Sequence, residues 1–167
     1  MLVSVVVICS VAASDDLLRT VPFADGRASI ALASEHSYEL VEDGAAIVIR
    51  STEAAEAEVR MTFRELTDPI FSDRAEIDRF VCLQAERQDA DCWEVSETRE
   101  AFFYGNATIA VTDDETFMLV QAMRSARNGV FIYSLQFPER RLADEDYGDR
   151  PLEFLTELIE NSYRTAP

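Results

Sequence analysis

Lysine is absent from this 167-residue chain, and all 15 basic residues are arginine. That excludes Schiff-base chemistry, a P-loop lysine and a Ser-Lys nucleophile pair. Histidine occurs once, so any Ser-His or Cys-His scheme would have to pass through His36. Its setting, Ser34-Glu35-His36-Ser37, is polar and reads as a surface turn, which assigns it no catalytic or ligand role. There is no GxSxG, HExxH, GxGxxG or Walker loop. Positive charge is scarce: 32 acidic residues give a formal net charge of −17. Such a surface repels nucleic-acid phosphates and anionic lipid head groups, so neither is expected as a partner.

Long hydrophobic runs are also missing, apart from Leu2–Ala13. That run is too short for a bilayer core, which takes about 20 apolar residues, so no stable membrane span is expected. It is uncharged, ends in small residues with Val11 and Ala13 at the −3 and −1 positions, and is followed by Ser14-Asp15-Asp16. It therefore reads as a signal peptide over residues 1–13, which assigns the protein to the periplasm or the secreted fraction and leaves one domain over 14–167. A basic n-region is lacking, and the alternative is a buried first strand. A lipoprotein signal would use Cys9, but Ile8 stands where a small residue is demanded.

Removal of that run discards Cys9 and leaves Cys82 and Cys92. An even pair in an exported protein reads as a disulfide. Two unpaired thiols or a metal pair are the alternatives; the spacing is neither a CxxC redox site nor a zinc knuckle.

The full chain is 48% hydrophobic and 28% charged, the balance of a globular protein. Ser14–Thr20 reads as a polar lead-in. Strands are predicted over Arg27–Leu32, Tyr38–Val41, Ala45–Arg50 and Glu58–Leu66, the last with Val59, Met61 and Phe63 on one face. Asp73 is placed to cap a helix to about Gln88, with Glu76 in a capping box and Ile77, Phe80, Val81, Gln84 and Ala85 on one face. Trp93–Thr98, Ala101–Tyr104 and Ala107–Val111 follow as strands. Asn106-Ala107-Thr108 is formally a glycosylation sequon.

Asn128-Gly129 suits a two-residue type I′ hairpin turn, which would pair Arg124 with Tyr133 and Ala122 with Leu135. One face would carry Val120, Ala122, Phe131, Tyr133, Leu135 and Phe137. After Pro138 and a charged loop, Asp149 and Pro151 open a final helix with a stripe of Leu152, Leu155, Leu158, Ile159 and Tyr163. The fold class is α+β: an antiparallel β-sheet packed against two main helices in a single domain.

This layout resembles the PsbP-like α/β superfamily, which includes a photosystem II extrinsic subunit, a Ran-binding nuclear protein and bacterial exported proteins. The resemblance rests on the Arg27–Leu32 strand, the mid-chain helix before a long hairpin, and Phe131–Pro138 leading through a loop to Leu152–Arg164. The sequence departs from that pattern in having no Pro-aromatic pair at the end of its first predicted strand. What the resemblance implies is a protein that assists or binds another and has no catalytic centre or cofactor of its own.

Candidate chemistry is sparse. Acidic clusters such as Asp113/Asp114, Asp144/Glu145/Asp146 and Asp89/Asp91 arise readily among 32 acids, and none has EF-hand spacing, so no metal site is assigned. A calcium-dependent module and a carboxylate-based hydrolase stay as alternatives, the latter needing two carboxyls facing across a cleft. Trp93 beside Cys92, and Phe103 in the run Phe102-Phe103-Tyr104, are candidate partner-binding residues. The leading expectation is an exported, non-enzymatic accessory or protein-binding domain with an unidentified protein partner. An immunity or assembly factor fits, with a basic partner matching the acidic surface.

Overall fold

Alternating polar and apolar side chains suit strands that bury one face, and most of the chain after the first helix carries that alternation. The computed structural model describes residues 18–95, 99–105, 107–112 and 115–164. The leader-like run with Cys9, Asn106 of the sequon, and Asp113 and Asp114 lie outside the described residues.

Among the described residues eleven strands and two α-helices are formed: β1 (Arg19–Phe23), β2 (Ala28–Leu32), β3 (Ser37–Val41), β4 (Ala46–Arg50), β5 (Glu58–Glu65), α1 (Arg74–Arg87), β6 (Trp93–Val95), β7 (Glu100–Tyr104), β8 (Thr108–Val111), β9 (Thr116–Ala126), β10 (Gly129–Pro138), α2 (Arg150–Glu160) and β11 (Ser162–Arg164). The large sheet has the order β3-β4-β5-β10-β9-β7-β6, with β8 also on β9. The small one is β1-β2-β11. Every pairing is antiparallel.

Alternate residues of the large sheet serve two cores. One face carries Val59, Met61, Phe131, Tyr133 and Leu135 against α2 and the small sheet. The opposite face carries Phe103 and Val130 against Ile77, Val81 and Ala85 of α1. The result is a single α+β domain with a helix on each face of a largely antiparallel sheet. Asp73 caps α1 by accepting from the Ala75 amide at 3.0 Å.

Four expectations are corrected here. The polar lead-in is instead the start of strand β1, which closes on Pro22 and Phe23, so the first strand does end in a Pro-aromatic pair. Its Val21 and Phe23 are buried, and Pro22 lies in an edge strand, the position in a sheet where proline is tolerated.

The hairpin keeps its expected faces but moves its register by two residues: Phe131 pairs Arg124 and Tyr133 pairs Ala122. Asn128 alone takes the left-handed conformation there, at φ 59°. Gly129 opens β10 instead of sitting in the turn, because a Cβ on it would lie 2.6 Å from the Arg64 carbonyl oxygen and 2.6 Å from Phe63 Cζ. Glycine is needed for close approach rather than for positive φ.

The final helix buries Phe154 with Leu155, Leu158 and Ile159, while Leu152 is 39% exposed. It ends at Glu160, and Tyr163 belongs to β11 beside β2. Finally, His36 is not on the surface; it is 4% exposed.

Candidate protein-binding face

Strand β7 puts Phe103 on the α1 side, so Phe102 and Tyr104 fall on the other. Trp93 of β6 pairs with Phe102 and shares that second face. The three rings form a mutual cluster: Trp93–Phe102 centroids are 5.4 Å apart, Trp93–Tyr104 5.6 Å and Phe102–Tyr104 5.8 Å. Such spacings are those of attractive edge-on and offset aromatic pairs. Phe102 and Tyr104 rest on the main core, whereas Trp93 is 43% exposed. Trp93 is thus the exposed member of a half-buried aromatic cluster packed on the core.

Phe103, the other candidate partner residue, is 2% exposed beneath α1 and unavailable to a partner. Two neighbours of opposite parity were equally compatible with the Phe-Phe-Tyr run; α1 decides which one is covered.

The ledge is held from several sides. Cys82 of α1 and Cys92 are joined by a disulfide with Cα atoms 5.3 Å apart, fixing the chain immediately before Trp93. The Tyr104 hydroxyl is hydrogen-bonded to Thr156 of α2. Burial pushes the Tyr104 phenol up, the Thr156 bond opposes this, and the nearby Glu160 carboxylate adds to it.

Beneath the ledge, Arg124 of β9 pairs with Phe102 in register and is 1% exposed. Its Nε donates to Glu100 at 2.7 Å, and its Nη1 donates to the Ser162 carbonyl at 3.0 Å and to the Ile159 carbonyl. A guanidinium on the Ile159 carbonyl, in the last turn of α2, fills an orphan acceptor site and opposes the negative helix end, while the Ser162 carbonyl it also reaches belongs to β11. Arg124 carries a signal in the sequence: it continues the inward-facing series Val120, Ala122. A charge at such a position demands a buried partner. Burial also pushes Tyr133 of the same face up to about 12, with Arg124 and Ser162 pulling the other way.

A second constellation was missed altogether. His36 Nε2 lies 3.1 Å from Glu157 Oε2 and 3.2 Å from Oε1, and the ring rests on Phe154 with centroids 5.0 Å apart. A carboxylate only accepts, so Nε2 carries the proton. Nδ1 is buried without a hydrogen-bond partner among the described residues. The Glu157 bond raises the His36 pKa above 6.5, against the effect of burial. The adjoining cavity, lined by Glu35, Glu53, Arg150 and Glu153, holds only about 100 Å³.

The large cavity, about 590 Å³, lies between the start of α1 and the β9–β10 turn. Its lining includes Arg74, Arg127 and a single carboxylate, Asp68, which already accepts from the Ile70 amide at 3.0 Å. Facing carboxyls are therefore not brought together there. Among the described residues no three His, Cys, Asp or Glu side chains assemble into a metal-holding group. No helix among them is long and apolar enough to cross a membrane.

No model of a known protein family matches the chain, and no curated protein sequence does. Solved structures do match in shape. A Bacteroides thetaiotaomicron protein superposes with a TM-score of 0.58 at 12% identity, over 89% of this chain and 48% of that one. The chain thus spans about half the length of that relative. The cyanobacterial PsbP of Synechocystis superposes with a TM-score of 0.50 at 10% identity, over 94% of this chain and 97% of that one. LpqN of Mycobacterium tuberculosis, described as involved in cell envelope biogenesis, gives 0.49 at 11% identity, over 89% and 91%. Two helices on a largely antiparallel sheet, in this order and with this likeness to cyanobacterial PsbP, make the fold of the chain PsbP-like.

Proposed function

We propose that the protein is a non-enzymatic accessory domain that works outside the cytoplasm and binds another protein through the Trp93 ledge. The carrying observation is Trp93 itself, 43% exposed over two rings that are anchored in the core. A rigid aromatic presented on a pre-organised base is the usual anatomy of an interface hot spot. The partner is basic, because net charge −17 on this chain favours encounter with positive surfaces. An assembly or immunity factor is the role that fits such a pairing. The Cys82–Cys92 bond supports an oxidising compartment, periplasmic or secreted, and the Leu2–Ala13 run supports export into it.

The test is a pull-down from native envelope extract with wild type and Trp93→Ala. Loss of a specific partner in the variant, with an unchanged melting curve, supports the ledge. Equal recovery of that partner overturns it. Intact mass of exported material tests the address: a chain starting at Ser14 with no free thiol is expected, and one starting at Met1 would remove the export reading.

A further inference from the structure

Edge strands offer unpaired N–H and C=O groups, and folded proteins usually blunt them with charge, proline, bulges or a covering element. The two edges of the large sheet are treated differently here. At one, β3 carries Glu39, which lies 4.0 Å from Arg50, and Arg19 sits 4.7 Å over the Tyr38 ring. At the other, β6 and β8 are both outermost, and β8 reads Thr-Ile-Ala-Val, with no charge and no proline. Among the described residues β8 pairs with β9 alone.

The side chains of β8 are as open as its backbone. Ile109 is 61% exposed and Val111 76%. They pair with Met118 and Thr116, so they lie on the sheet face that bears Phe102, Tyr104 and Trp93. Leu152, 39% exposed, adds an apolar residue from α2, whose Thr156 one turn on reaches Tyr104. An apolar strip therefore runs along one face beside an unguarded strand edge.

We infer that β8 is a docking edge for an extended segment of a basic partner protein, added as an antiparallel or parallel strand with apolar residues on the Ile109 and Val111 face and arginine or lysine on the other. This rests on the reading of the ledge as a protein-binding face and specifies how it binds. Strand addition takes affinity from backbone hydrogen bonds and selectivity from alternate side chains. Charge chooses the occupant. Asp113-Asp114-Glu115 comes one residue after β8 in the chain, and the whole molecule carries −17, so a cationic segment is attracted. A second copy of this chain would bring the same charge and be repelled.

The probe is a synthetic nine-residue peptide of alternating arginine and valine, titrated into the oxidised, isotope-labelled protein and followed by amide shifts and hydrogen exchange. Expected are shifts centred on Thr108–Val111 and the Trp93 indole, and new exchange protection in β8. Binding should weaken severalfold in high salt. The same peptide N-methylated along one edge keeps its charge but cannot form a ladder, and it should leave β8 unprotected. Val111→Lys, at an exposed position that folding tolerates, should weaken the unmethylated peptide severalfold.

Equal binding of both peptides overturns strand addition while leaving the ledge as a binding face. Absence of any β8 response overturns it too, and the Trp93→Ala pull-down then decides separately whether the ledge binds protein at all. A free protein that already sediments as a dimer with β8 protected would make the occupant a second copy, which also overturns the inference.

Discussion

His36 and Glu157 stand 121 positions apart in the chain, yet their side chains meet at 3.1 Å and tie the β2–β3 connection to α2. The His36 side chain is 3% exposed and that of Glu157 37%, so the pair is shielded at one end and wet at the other. The groups facing His36 are acidic in the main: Glu157 first, then Glu35 and Glu53, with Arg150 and Glu153 lining the same cavity. All three carboxylates named by proximity favour the charged imidazolium, and burial opposes it.

A raised histidine pKa has a definite sign for stability. The folded protein binds the proton more tightly than the unfolded chain, whose histidine titrates near 6.5. The stabilisation is therefore complete below pH 6.5 and is lost as pH rises through the higher folded value. Thermal melts across that range are expected to show a downward step above 6.5, and Glu157→Gln should flatten it. A step of equal size in Glu157→Gln would remove the pair as its cause.

The disulfide is expected to matter more for the ledge than for the sheet. Closing a loop of this size contributes roughly 3 kcal/mol in a chain-entropy account. Cys82→Ala with Cys92→Ala should lower the urea midpoint accordingly and shift Trp93 emission, since the chain just before Trp93 is then released from α1. Amide exchange in β6 should rise before that in β10, which is paired on both sides by β5 and β9. An unchanged midpoint would mean that α1 packing alone holds this corner.

Legibility in the sequence followed how local the deciding contact was. The faces of β5, β9 and β10 could be read because burial of alternate residues is written directly in the pattern. The Cys82–Cys92 bond was legible because setting Cys9 aside with the leader-like run leaves two cysteines and one pairing. Strand β1 was hidden because Thr-Val-Pro-Phe has two apolar positions and a proline, and it is specified by pairing with β2. Strand β11 was hidden because Tyr163 also continues the helical stripe of α2. The site divided the same way: the exposure of Trp93 follows from its edge position, and the burial of Phe103 from where α1 lands, neither of which is local.

Gly129 gives a test of why the hairpin register moved. Its Cβ position is blocked by the Arg64 carbonyl oxygen and by the Phe63 ring, both within 2.6 Å. A ring can turn aside, but a strand carbonyl cannot without breaking the ladder. Gly129→Ala is expected to destabilise by about 1–3 kcal/mol, the range for overpacking, with only partial rescue by Phe63→Leu. Gly44→Ala meets nothing within 4 Å and is strained only through φ +87°, so it should cost about 1 kcal/mol. If Gly129→Ala is the milder of the two, the close-approach account fails.

Arg124 is the side chain through which the hairpin, β7 and the end of α2 are joined, and its removal has a sign that charge counting alone would miss. Arg124→Met fills much of the same space but leaves Glu100, whose side chain is 13% exposed, facing an apolar group. The Ile159 and Ser162 carbonyls lose a donor at the same time. Breaking a buried pair from one side typically costs about 3–5 kcal/mol, largely as the desolvation of the partner left behind. Replacing both, Arg124→Met with Glu100→Gln, removes the stranded charge, so a substantial part of that loss should return in a denaturant melt. Arg74 lies 3.7 Å from the other Glu100 oxygen and shares the carboxylate. Arg74→Ala in the Arg124→Met background should therefore deepen the loss, whereas in the wild type, where Arg74 is partly exposed, it should be mild. Strict additivity of these two substitutions would mean that Glu100 does not couple them.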